Sequence, residues 1–87
     1  MNQPDEIQVT VPFAAGNGTY HQAYASSTTV DVVVDNALAF YDVRREDGTR
    51  YYVLHDGSPV STGTVIGSLV EHGKALRLPL RTETISG

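Results

Sequence analysis

Thr28-Thr29-Val30-Asp31-Val32-Val33-Val34-Asp35-Asn36-Ala37-Leu38-Ala39-Phe40-Tyr41 is the stretch on which the reading of this chain turns. Its apolar residues Val30, Val33, Val34, Ala37, Leu38 and Tyr41 lie three and four apart, the stripe of an α-helix with one buried face. Asp31 and Asp35 fall on the other face, and Asp31 also suits the positive N-terminal end of the helix dipole. Ser26-Ser27-Thr28-Thr29 supplies hydroxyls for an N-cap, and Thr28 with Asp31 three residues on resembles a capping box. Four valines lower the local helix propensity, so packing has to hold this helix.

Outward from the helix the period changes to two. Ile7-Gln8-Val9-Thr10-Val11-Pro12-Phe13 alternates as a half-buried strand does, with Ile7, Val9 and Val11 facing the core. A glycine-bearing turn follows, and then a second strand from Thr19 to Ala25. Beyond the helix, Arg44 to Gly48 reads as a charged loop and Tyr51 to His55 as a strand of aromatic and branched residues. Asp56-Gly57 is a turn pair, Ser58 to Ser61 a very short edge strand, and Ile66 to Leu69 a helical turn. Ala75 to Arg81 alternates again: Leu76, Leu78 and Leu80 point one way, Arg77, Pro79 and Arg81 the other. The expected fold is α+β, a mixed four- to five-stranded sheet with one main helix packed on one face and the last strand in the middle, parallel to the first. Pro12 and Pro79 lack backbone donors and should break or bulge that central ladder. The expected domain covers residues 1–81, with 82–87 a flexible tail.

Composition narrows the function. With 87 residues the chain holds one domain with no room for a large substrate cavity, which argues against an enzyme. It has no cysteine, which excludes disulfides, thiolate catalysis and thiolate-bound zinc and suits a reducing compartment. The net charge of -4 argues against nucleic-acid binding by a broad basic face. The longest apolar run, Val32 to Val34, is far too short to span a membrane, and no signal peptide is visible, so a cytoplasmic protein is expected.

The order of elements and several segments resemble the ubiquitin family. Ile7 to Val11 with its glycine turn resembles the first hairpin of that family, and Thr29 to Leu38 the start of its helix. Val53 to Val60 resembles its third strand and following turn, and Thr64-Val65 through Leu76-Arg77-Leu78 its last loop and strand. The likeness covers roughly residues 7–81 and implies a ubiquitin-like β-grasp fold. The small, lysine-poor, glycine-terminated form resembles the ubiquitin-like proteins of bacteria, some of which accompany conjugation-type enzymes.

The resemblance implies a protein modifier that is not itself an enzyme and needs no cofactor. Gly87 would be activated with ATP by an activating-type enzyme, passed to a conjugating-type enzyme, joined to amines of a target protein, and released by an isopeptidase. A residue without a side chain suits threading through a narrow enzyme channel. Two alternatives stand beside this: a non-conjugated β-grasp adaptor and a sulfur carrier. The tail, Thr82-Glu83-Thr84-Ile85-Ser86-Gly87, departs from the family's arginine-rich Gly-Gly ending.

The outward face of the sheet is the second candidate. If Val53 and Leu78 point inward, then Tyr52, Leu54 and Pro79 form an apolar patch rimmed by Arg77 and Arg81. The resemblance places Leu54 at the strand residue of the family's apolar recognition patch and Arg81 beside the tail. Aromatic, apolar and arginine side chains together have the composition of a binding hot spot. Lys74, the one lysine, is a possible acceptor for self-conjugation, although a solvated loop lysine is the plainer reading. His21, His55 and His72 lie on separate elements without metal-ligand spacing, so no metal site is expected.

Overall fold

The computed structural model describes residues 6–14, 16, 18–70 and 75–85. Strands β1 (Glu6–Val11) and β2 (Tyr20–Ala25) form an antiparallel hairpin, followed by helix α1 (Val30–Phe40). Strand β3 (Thr49–His55), the two-residue β4 (Ser58–Pro59) and a 3-10 turn at Ile66–Leu69 come next. The chain ends in β5 (Ala75–Arg77) and β6 (Leu80–Thr84). Asp56 and Gly57, at φ 54° and 82°, make the tight turn between β3 and β4 that their sequence calls for.

The expected last strand is two strands with separate partners. β5 runs parallel to β1, and β6 runs antiparallel to β3, giving sheet orders β2-β1-β5 and β4-β3-β6. Three bonds join them into one mixed sheet. Leu78 and Leu80 each donate an N–H at 2.8 Å, to the carbonyls of Thr10 and Pro12, and Leu54 donates to the carbonyl of Pro79 at 3.0 Å. The alternate rung of the parallel ladder would carry an N–H from residue 12 to the Leu78 carbonyl. The return rung of the antiparallel pair would carry one from residue 79 to the Leu54 carbonyl. Both positions are proline, so adjacent rungs fail on the two sides of one strand.

Strand pairing runs past residue 81: β6 continues through Thr82, Glu83 and Thr84 paired with Tyr51, Arg50 and Thr49. The Ile85 N–H then donates to the Gly48 carbonyl at 2.6 Å. These residues lack apolar alternation, and hydrogen bonding rather than burial holds them: all are exposed.

Ile7, Val9 and Val11 of β1, Val53 of β3 and Leu76, Leu78 and Leu80 meet Val30, Val33, Val34, Ala37 and Leu38 of the helix in one core. Ile66 closes its end. Burying a branched or leucine side chain contributes about 1.5–3 kcal/mol, which offsets the weak helix propensity of the valines. The expected hydroxyl cap is absent. Carbonyls of the loop before the 3-10 turn take its place: Val30 and Asp31 donate to Thr64 and Thr62 at 2.8 and 3.0 Å. The Asp31 carboxylate accepts the Val32 N–H at 2.9 Å.

Candidate functional site

The sheet face turned away from the helix carries every predicted patch residue. On β3, Tyr51 and Val53 are buried, so Arg50, Tyr52 and Leu54 project to the opposite side. On the last two strands Leu76, Leu78 and Leu80 are buried, and Arg77, Pro79, Arg81 and Glu83 alternate with them. Register brings the two rows together. Tyr52 pairs with Arg81, Arg50 with Glu83, and the bond from Leu54 to Pro79 sets those two side by side. Arg77 lies next to Thr10 of β1. Tyr52, Leu54 and Pro79 are half-buried while Arg77 and Arg81 are exposed, an apolar strip with a cationic margin.

Arg50 belongs to this face and was missed in the sequence. Its guanidinium lies over the Tyr52 ring, 4.8 Å from the centroid, and bonds Glu83 at 3.3 Å. Its position two residues before Tyr52 on the same strand was the available signal. Phe13 and Pro12 were missed for a different reason. They reach the patch from the hairpin end, where with Ala14, Gly18 and Thr19 they line an open groove of about 290 Å³ against Arg77, Pro79 and Arg81.

Arg50, Arg77 and Arg81 share the outer sheet face with Glu83, while Asp31, Asp35, Asp42, Glu46 and Asp47 lie with Arg44 and Arg45 on the helix and the loop that follows it. There Arg45 bonds Asp35 at 2.5 Å. Gly87, the expected attachment residue, Lys74, the expected acceptor, and His72 fall outside the described residues. Among the described residues no three His, Cys, Asp or Glu side chains group as a metal site would need, and no helix is long and apolar enough to cross a membrane.

No family model matches the chain, and no curated protein does. Solved structures do. A chain described as "Molecular Mimicry of SUMO promotes DNA repair" superposes with a TM-score of 0.73 at 9% identity, over 92% of this chain and 95% of that one. Caldiarchaeum subterraneum ubiquitin gives 0.69 at 22% identity, over 94% and 99%. The EccD5 ubiquitin-like domain from Mycobacterium xenopi gives 0.61 at 16% identity, over 95% and 100%. At such identities the likeness speaks for the fold, and the fold is the ubiquitin-like β-grasp.

Proposed function

We propose that this chain is a ubiquitin-like protein modifier of bacterial type, itself not an enzyme, working in the cytoplasm. Its C-terminal Gly87 is activated with ATP and joined to amines of target proteins. The outer sheet face orients the chain on its activating-type and conjugating-type enzymes and on the isopeptidase that reverses the bond. The observation that carries this reading is the path of the last strands. β5 and β6 carry Arg77, Pro79 and Arg81 along one face, and Gly87 follows Thr84 by three residues in sequence, which supports a recognition face and a reactive residue on one stretch of chain. Lys74 is the side-chain acceptor if the protein joins to itself.

The test is adduct formation. The chain is incubated with ATP and an adenylating enzyme of the ubiquitin-activating type from the same genome, and products are followed by mass spectrometry. An adenylate and then a thioester at Gly87 are expected. Adducts that persist after Gly87 is deleted overturn the assignment.

A second reading is a non-conjugated adaptor using the same face. The pairing of β6 through Thr84, with the Ile85 N–H held by Gly48, favours it, because residues 82–85 are tied to β3 and the loop before it. Failure to form an adenylate with the adenylating enzyme supports this reading. A sulfur carrier is a weaker third: Ser86-Gly87 stands where those carriers end Gly-Gly, and a thiocarboxylate mass at Gly87 would establish it.

A further inference from the structure

The groove between the hairpin end and the last strands has a chemistry more specific than a general contact surface. One wall is Pro12, Phe13 and Thr19; the other is Arg77, Pro79 and Arg81. The chain carries a net charge of -4, yet among the described residues neither Arg77 nor Arg81 has a carboxylate within ion-pair distance. Of the carboxylates on the strands of this face, Glu83 is bonded to Arg50 and Glu6 stands at the far end of β1. Two guanidinium groups without an ion-pair partner among the described residues therefore flank a half-buried proline on a net acidic molecule.

Their spacing names the ligand. Arg77, Pro79 and Arg81 occupy alternate positions of an extended segment, so the outer two side chains stand about 13 Å apart. A second extended peptide has the same rise, and its side chains at positions n, n+2 and n+4 keep step with these three. Carboxylates at n and n+4 meet the guanidiniums, whose planar forks donate to them in bidentate pairs. An apolar side chain at n+2 covers Pro79 and Phe13. We propose that this groove binds an extended acidic peptide of the pattern acid-x-apolar-x-acid, offered by a partner protein. The inference rests on the outer face being the partner surface and does not require conjugation at Gly87.

The experiment titrates the full chain with a fluorescent peptide, Glu-Ser-Leu-Ser-Glu flanked by Gly and Ser, and reads anisotropy at low and moderate salt. Saturable binding that weakens as salt rises is expected. Arg77→Glu with Arg81→Glu is expected to lower affinity at least tenfold, and Lys-Ser-Leu-Ser-Lys is expected to bind that variant in its place. Both arginines are exposed, so circular dichroism of the variant should match the parent; Arg77→Gln with Arg81→Gln serves if the doubly reversed chain misfolds. Equal binding of a neutral Gln-Ser-Leu-Ser-Gln peptide, or of one with its glutamates three apart, overturns the proposal. So does displacement of the peptide by a single-stranded oligonucleotide at lower concentration, which would make the groove a polyanion site. Deleting Gly87 leaves this binding unchanged, so loss of the modifier reading and loss of the peptide site register in separate assays.

Discussion

The hydroxyl of Tyr41 donates to the carbonyl of Val11 at 2.7 Å, linking residues thirty positions apart. The same oxygen accepts the Tyr20 N–H at 2.9 Å. Val11 and Tyr20 are partners in the β1–β2 register, so a residue at the end of the helix bridges the last rung of the hairpin. Its ring packs on Phe13 at 5.3 Å, and Gly16 lies so close that a methyl there would fall 2.3 Å from a ring carbon.

Tyr41→Phe keeps the ring and removes the bridge. A half-buried carbonyl and N–H lose their partner, which costs about 1–3 kcal/mol, and Tm should fall by roughly 10 °C in a domain this size. Calorimetry checks it. An unchanged Tm would mean that Val11 and Tyr20 bond one another once the hydroxyl is gone.

Asp42→Gly should stabilise the protein by about 1 kcal/mol. Asp42 takes a left-handed φ of 59° just past the helix, where glycine carries no steric penalty. The closing bonds, Asp42 N–H to the Ala39 carbonyl at 3.2 Å and Val43 N–H to Leu38 at 2.9 Å, are backbone bonds and survive the change. The substitution also removes a carboxylate from the negative end of the helix dipole. The urea midpoint should rise; a fall would show that the aspartate makes a contribution of its own.

Stability should decline on the alkaline side. Burial first, then the hydrogen bond and charge interaction with Tyr24, push the Tyr20 phenol well above the ordinary tyrosine range. The two hydroxyl oxygens lie 2.5 Å apart, and Asn36 donates to Tyr24 at 2.9 Å. Below about pH 10 the phenol is neutral in folded and unfolded chains, and its contribution is intact. Above that, the unfolded chain loses the proton while the folded one keeps it, so unfolding gains. Urea midpoints measured from neutral pH upward should drop more steeply for the parent than for Tyr20→Phe. Parallel slopes would remove the phenol from the account.

Leu54 and Val53 are neighbours on opposite faces of one strand, and their alanine variants should separate binding from folding. Val53 is wholly buried, and its truncation should cost about 2 kcal/mol or more. Leu54 is half-buried beside Pro79, and Leu54→Ala should cost about 1 kcal/mol or less while weakening partner binding several-fold. A stability loss at Leu54 as large as that at Val53 would place it in the core.

The helix and the sheet faces were legible because burial imposes a period. Val30, Val33, Val34, Ala37 and Leu38 show the helical repeat, and Leu76, Leu78 and Leu80 the strand repeat. The same regularity concealed the division between β5 and β6, since side chains keep alternating through it. Its cause is shared between Pro79 and Pro12, which lies far away in sequence. The two prolines announced a damaged ladder, but which rungs survived depended on the register of three strands. Nothing apolar marked Thr82 to Thr84, whose order comes from backbone pairing and the Arg50–Glu83 contact. The bridging role of Tyr41 left no trace beyond its place on the helix stripe. Alternation was enough to put Tyr52, Leu54, Arg77, Pro79 and Arg81 on one sheet face, whereas Phe13 joins that face through the hairpin's tertiary position.

The attachment of β6 to β3 has a mechanical side. The two strands are antiparallel, and beyond their Thr49–Thr84 pair the bond from the Ile85 N–H to the Gly48 carbonyl is the outermost rung. A partner that draws the end of the chain outward loads that rung first and then each inner one in turn, like a zipper rather than a sheared joint. Capture of this segment is thus a graded peeling, in which the Arg50–Glu83 pair lets go after the Ile85–Gly48 bond and the Thr49–Thr84 pair.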